Sequence, residues 1–217
     1  SKIEAGHVEV RAEPLPLQRL KDDLTQLFKP VASERGLNFE IKIAADCPSR
    51  IETDRQRLEQ ILKNLLSNAF KFTEKGKVRL EINPSGDRDI AFSVTDTGIG
   101  VSREQQDMIF EAFRQADGTI SRKYGGTGLG LSISRELSRL LGGAIALESK
   151  PGEGSTVTVT IPKIYDPARV TPRDQPLAVK APVTLPRAKG SQPSVAQVAV
   201  EDDRDQIGGG RRVLLVI

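Results

Sequence analysis

Tryptophan is absent from these 217 residues, and cysteine, histidine and methionine occur once each. A lone thiol, Cys47, closes no internal disulfide, so the chain folds without a covalent staple and suits a reducing compartment. Beside Pro48, Cys47 reads as a small apolar filler rather than a reactive group. Aromatic residues make up only 4%, which leaves an aliphatic core. No apolar run approaches the ~18 residues of a membrane span, and the first residues do not form a signal peptide. The expectation is a cytoplasmic piece without direct membrane contact, with inner-membrane anchoring of a longer parent left open. A net charge of +3, dispersed along the chain, gives no electrostatic case for nucleic acid.

What is present suits one soluble domain with appendages: 37% hydrophobic and 28% charged residues. "SKIEAG" resembles a helix end closed by Gly6, and "HVEVRAE" alternates like a strand. Leu17, Leu20, Leu24, Leu27 and Phe28 fall at helical spacing, with Gly36 as the stop. "NFEIKI" alternates again. Asp54 is placed to cap a helix whose apolar positions are Leu58, Ile61, Leu62, Leu65, Ala69 and Phe72. "KVRLEIN" and "DIAFSVTD" read as strands joined by "PSGDR", and residues 97–127 as a long irregular stretch. A helix from about Leu129 to Leu141 precedes two further strands, "AIALES" and "STVTVTIP". These elements predict an α/β two-layer sandwich: a mixed β-sheet with about three helices on one face. After Pro162 the composition changes. Residues 162–210 hold seven of the 13 prolines and few large apolar side chains, which predicts a linker.

The chemistry concentrates in four segments. "YGGTGLG" places four glycines within six residues ahead of a helix, where free N–H groups favour phosphate. It is neither a P-loop nor a dinucleotide fingerprint, because Leu129–Gly130 stand where Gly-Lys would and Leu131 replaces the third glycine. "NLLSNAFKF" puts Asn64, Asn68 and Lys71 on one helix face. An amide carbonyl is a hard neutral oxygen suited to Mg²⁺, and a lysine supplies a point charge for phosphate. "DTGIG" ends a strand with a carboxylate, Asp96, able to accept from an exocyclic amine. "FEAF", Phe110 to Phe113, is placed to pin a mobile lid.

In this order and spacing, roughly residues 1–161 resemble the ATP-binding catalytic domain of bacterial sensor histidine kinases, whose GHKL or Bergerat fold is shared with gyrase, Hsp90 and MutL. The N box falls on Asn64 to Phe72, the first glycine box on Asp96 to Gly100, and the second on Gly126 to Gly130. The resemblance implies that Asp96 reads adenine, with Phe72, Gly98, Ile99, Gly100 and Thr156 lining the nucleotide. It implies that Asn68 with Asn64 holds Mg²⁺, and that Lys71 and Arg122 meet phosphates. Residues 101–127 would form the ATP lid, and the backbone of Gly126, Thr127, Gly128, Leu129, Gly130 and Leu131 would cradle the triphosphate.

Hydrolysing relatives carry a glutamate one turn before the metal-binding asparagine; here Asn64 stands there and cannot act as a base. The resemblance therefore implies ATP:protein-histidine phosphotransfer, with Asn64, Asn68 and Lys71 as the catalytic set. The acceptor histidine is expected on an upstream dimerisation helix outside this chain, because His7 does not match the acceptor motif. The isolated chain would then have little to phosphorylate. "RRVLLVI", residues 211–217, resembles the first strand of a receiver domain, the order found in hybrid kinases. The expected layout is residues 1–12 as dimerisation-helix end and opening strand, 13–161 as catalytic domain, 162–210 as linker and 211–217 as truncated receiver. Two alternatives stay open: a non-catalytic nucleotide-binding regulatory module, and a serine kinase of the anti-sigma-factor type.

Overall fold

The computed structural model describes residues 9–106 and 130–170. "SKIEAG", His7, the Phe110–Phe113 segment, Arg122, Gly126, Thr127, Gly128, Leu129 and the receiver-like terminus lie outside the described residues.

The first helix, α1 (Leu17–Arg35), buries Leu17, Leu20, Leu24, Phe28 and Ala32, a stripe that advances by three or four residues each time. Leu27, expected on that stripe, is 48% exposed because the i+4 step from Leu24 selects Phe28 instead. Gly36 ends the helix at φ 65°, and the amides of Gly36 and Leu37 reach back to the carbonyls of Ser33 and Ala32. Gly36→Ala is expected to cost about 1 kcal/mol, the penalty of a Cβ in the left-handed region. A denaturant midpoint shift without a change in slope checks this.

Three strands precede the next helix. The expected strand "HVEVRAE" is displaced: residues 9–12 have no regular structure, and β1 is Glu13–Pro16. Pro14 and Pro16 donate no ladder hydrogen bond, which confines this segment to an edge. It pairs antiparallel with β3 (Arg50–Thr53), a short strand that the sequence reading lacked. Between them lies β2 (Asn38–Ile43). Asp54 then caps α2 (Arg55–Phe72), accepting from the Arg57 amide at 3.1 Å. The core face of α2 carries Leu58, Ile61, Leu62, Leu65, Leu66, Ala69 and Phe70. Phe70 takes the core place expected for Phe72 and stacks on Phe28 at 5.6 Å between ring centroids.

The main sheet has five strands in the order β2-β4-β5-β7-β6. Here β4 is Lys77–Ser85, β5 Asp89–Asp96, β6 Ala144–Lys150 and β7 Gly154–Pro162. Only the β2–β4 pair is parallel, so the sheet is mixed. Val78, Leu80 and Ile82 of β4 and Ile90, Phe92 and Val94 of β5 are buried on one face beneath the helices. Among the described residues after β5, α3 (Arg103–Gln106) is a single helical turn, and α4 (Gly130–Leu140) lies in the helical layer. The fold is thus the two-layer α/β sandwich expected.

The chain does not leave the body at Pro162. Lys163 and Tyr165 exchange backbone hydrogen bonds with Glu52 of β3, at 2.8 and 2.9 Å. Arg169, in a 3₁₀ turn at Pro167–Arg169, pairs with Asp89. Among the described residues no helix is long and apolar enough to cross a membrane.

Candidate nucleotide site

The alternation that builds the core also delivers a carboxylate to its end. Ile90, Phe92, Val94 and Asp96 are the buried positions of β5, so Asp96 points to the helical side of the sheet and is only 9% exposed. Burial pushes its carboxyl above the ordinary aspartate range; hydrogen bonds from the amides of Gly98, at 2.8 Å, and Ser155 pull partly back. The remaining acceptor capacity suits a ligand N–H.

The loop after Asp96 folds against the end of α2. The Ile99 amide donates to the Phe72 carbonyl at 3.3 Å, and a Cβ on Gly98 would stand 2.3 Å from that same oxygen. Only glycine allows this approach. Gly100 backs onto the Lys150 carbonyl, and Ile99 stays 40% exposed as an apolar surface beside the carboxylate. Behind the loop, Ser149 accepts from the Val101 amide at 2.8 Å, and Gln106 donates to the carbonyls of Val101 and Ser149.

The helix α2 supplies the second wall. Asn64 is not free: its amide donates to Ser134 Oγ of α4 at 2.9 Å, and its Oδ1 lies against Gly130. Asn68, one turn on, is half-buried and makes no side-chain hydrogen bond among the described residues. Lys71 holds its ammonium over the Phe72 ring, 4.9 Å from the centroid. Gly130 opens α4, and Leu131 packs against the core, which aims the start of that helix at the Asn64–Asn68 face.

Thr156 requires a correction. It faces Thr95, their hydroxyls 3.0 Å apart, on the sheet face away from Asp96. Strand parity puts Ser155 opposite Asp96, and Ser155 shares a hydrogen bond with Ser149 at 2.9 Å. The signal was present in "STVTVTIP": Val157, Val159 and Ile161 mark the core face, and Ser155 shares their parity. Ser134 and Ser149 carried no comparable signal, since their partners are distant in sequence.

Contacts link the expected residues in two groups: Lys71, Phe72, Asp96, Gly98 and Ile99 around the end of β5, and Asn64 with Gly130 between α2 and α4. A buried acceptor, an exposed apolar residue, a neutral oxygen and a helix start are the kinds of group that an adenine nucleotide requires.

Comparison with known proteins agrees. Residues 53–164 match the histidine kinase-, DNA gyrase B-, and HSP90-like ATPase family, and the chain belongs to that family. Within it, the chain is an ATP-binding catalytic domain of the histidine-kinase type. The signal transduction histidine-protein kinase BarA of Escherichia coli K12 is 39% identical over 160 residues, covering 72% of this chain but 17% of BarA. Full-length ShkA, solved in complex with AMPPNP, superposes with a TM-score of 0.65 at 35% identity, over 72% of this chain and 32% of ShkA. The histidine kinase ThkA, solved with the response regulator protein TrrA, gives a TM-score of 0.59 at 25% identity, over 73% and 43% of the two chains.

Proposed function

We infer that this domain, joined to upstream helices, transfers the γ-phosphoryl group of ATP to a histidine on those helices. The observation that carries the reading is Asn64. One turn before Asn68, where a water-activating carboxylate would have to sit, stands an amide tied to Ser134 and pressed against Gly130. The only acidic side chain of α2, Glu59, is bound to Arg55 and Lys63 instead. With no base for water on α2, catalysis rests on positioning and charge neutralisation.

Asp96 accepts from the adenine amine while Ile99 covers the base. The start of α4, from Gly130, faces the phosphates, and Lys71 adds charge. Mg²⁺ fits the side-chain oxygen of Asn68, which has no partner among the described residues; when bound it neutralises phosphate charge. Asn64 orients α4 through its amide nitrogen. In the reaction the γ-phosphorus–oxygen bond breaks, a phosphorus–nitrogen bond forms on the imidazole, and ADP leaves. A receiver domain is the onward partner, a reading supported by the ThkA–TrrA pairing and by the receiver-like end of the chain. The proposed layout goes with it: dimerisation helices, this catalytic domain, then a linker and a receiver, in a protein that acts from the cytoplasm.

Incubating the domain with radiolabelled ATP, Mg²⁺ and a histidine-bearing helical domain tests this. Acid-labile, base-stable phosphate on the helical partner is expected. Asn68→Asp is expected to slow transfer about tenfold while ATP-analogue affinity stays within about threefold, because it alters metal coordination rather than adenine contacts. Label released only as inorganic phosphate would refute the transfer reading.

A further inference from the structure

The root of α2 makes contacts that capping alone does not need. A cap requires one acceptor, and Asp54 Oδ1 supplies it to the Arg57 amide. The second oxygen, Oδ2, takes two further hydrogen bonds, from the Arg11 amide and from Arg57 Nε, both at 3.1 Å. Arg57 then extends Nη2 to the Glu9 carbonyl at 3.1 Å. Asp54 is 6% exposed, and the Arg57 side chain 19%. A cation in a first helical turn is opposed by the helix dipole, and this turn has no acidic residue to offset it. Arg57 therefore contributes here through its contacts with Asp54 and the incoming chain, not through the helix. Residues 9–12 have no regular structure of their own, so these bonds, with the packing of Val10 against the core, define their path. Two residues before Asp54, Glu52 pairs with the departing segment Lys163–Tyr165. Incoming and outgoing chain thus both attach at the base of the helix whose far half carries Asn64, Asn68 and Lys71.

We propose that Asp54 and Arg57 form a positioning clamp that sets the direction in which the upstream segment meets the domain, and so the alignment of the nucleotide site with its acceptor histidine. This rests on the phosphotransfer reading above. Neither residue touches nucleotide; the clamp acts through the incoming chain.

The test uses Arg57→Gln, which keeps the cap and removes the bridge to Glu9, with Arg57→Lys as the conservative variant. Three quantities are read: hydrogen exchange at residues 9–12 and ATP-analogue affinity in this chain, and transfer rate in a longer chain carrying the histidine helices. In Arg57→Gln, faster exchange confined to residues 9–12, affinity within about twofold and transfer slowed about tenfold are expected, with partial recovery in Arg57→Lys, since lysine keeps the charge but not the fork. Unchanged exchange at Arg11, an unchanged transfer rate, or affinity falling in step with transfer overturns the clamp. If the wild-type longer chain binds ATP yet labels no histidine, the phosphotransfer reading fails instead, and the exchange data alone decide whether the clamp holds the incoming chain.

Discussion

Replacing Asp96 by asparagine is expected to lower ATP-analogue affinity about 100-fold, the loss of a hydrogen bond to a charged acceptor worth roughly 2–3 kcal/mol. The same change is expected to leave the fold as stable or more stable. Asp96 is a carboxylate at the end of an apolar face, and its desolvation is only partly offset by the amides of Gly98 and Ser155. Its raised folded-state pKa means that the native state holds the proton to higher pH than the unfolded chain. The stability contribution of this group therefore falls as pH rises from the ordinary aspartate value through the raised one, and stays low above both. Asparagine removes that term. The stability gap between Asp96→Asn and wild type should widen with rising pH across this window, then level off. ATP affinity follows the opposite course: it weakens as acid neutralises Asp96 in the wild type. Denaturant melts and titrations across that range read both trends. A variant that lost stability and affinity together at neutral pH would mean that Asp96 is a structural anchor rather than an adenine acceptor.

The largest stability effect is expected at Gly154. It adopts φ 99°, and a Cβ there would stand 2.0 Å from the Asp96 carbonyl oxygen and 2.9 Å from Thr97 Cα. Both neighbours are backbone, so no rotamer change relieves the contact. Gly154→Ala combines left-handed strain with a backbone collision, and roughly 3 kcal/mol or more is expected. For a domain of this size that is a fall of about 10 °C in Tm. Because the collision pushes on β5 where Asp96 begins its turn, nucleotide affinity should fall as well. Calorimetric melting, with and without ATP analogue, checks both; an unchanged Tm would contradict the packing described for this corner.

Much of this site was legible because the residues that build it also obey local rules. Asp54 announces α2 as a cap, Gly36 closes α1, and Asn64, Asn68 and Lys71 share a face by helical spacing alone. Asp96 was recognisable because it continues the apolar alternation of "DIAFSVTD" into a glycine turn. What was not legible depends on pairing between distant segments. The β1–β3 pair is too short, and β1 too rich in proline, to signal a strand, and it exists because each segment has the other. Thr156 was placed on the wrong side of the sheet because resemblance supplied a neighbourhood without a parity, and the antiparallel register with β5 decides which hydroxyl faces Asp96. Asn64 was read as a metal ligand; the partner of its amide nitrogen, Ser134, lies seventy positions along the chain and had no local signal. Lys163–Val170 looked like linker by composition, yet backbone hydrogen bonds to Glu52 and the Arg169–Asp89 pair hold it to the domain without any large apolar burial.

The most direct test of the account is calorimetric titration of this chain with a non-hydrolysable ATP analogue, with the GTP counterpart as control and each run with and without Mg²⁺. The account predicts micromolar to submillimolar binding of the adenine nucleotide, strengthened by Mg²⁺, and at least about tenfold weaker binding of the guanine nucleotide, which presents a carbonyl where Asp96 needs a donor. Equal affinity for the two nucleotides, or binding that Asp96→Asn leaves untouched, would contradict the placement of the site.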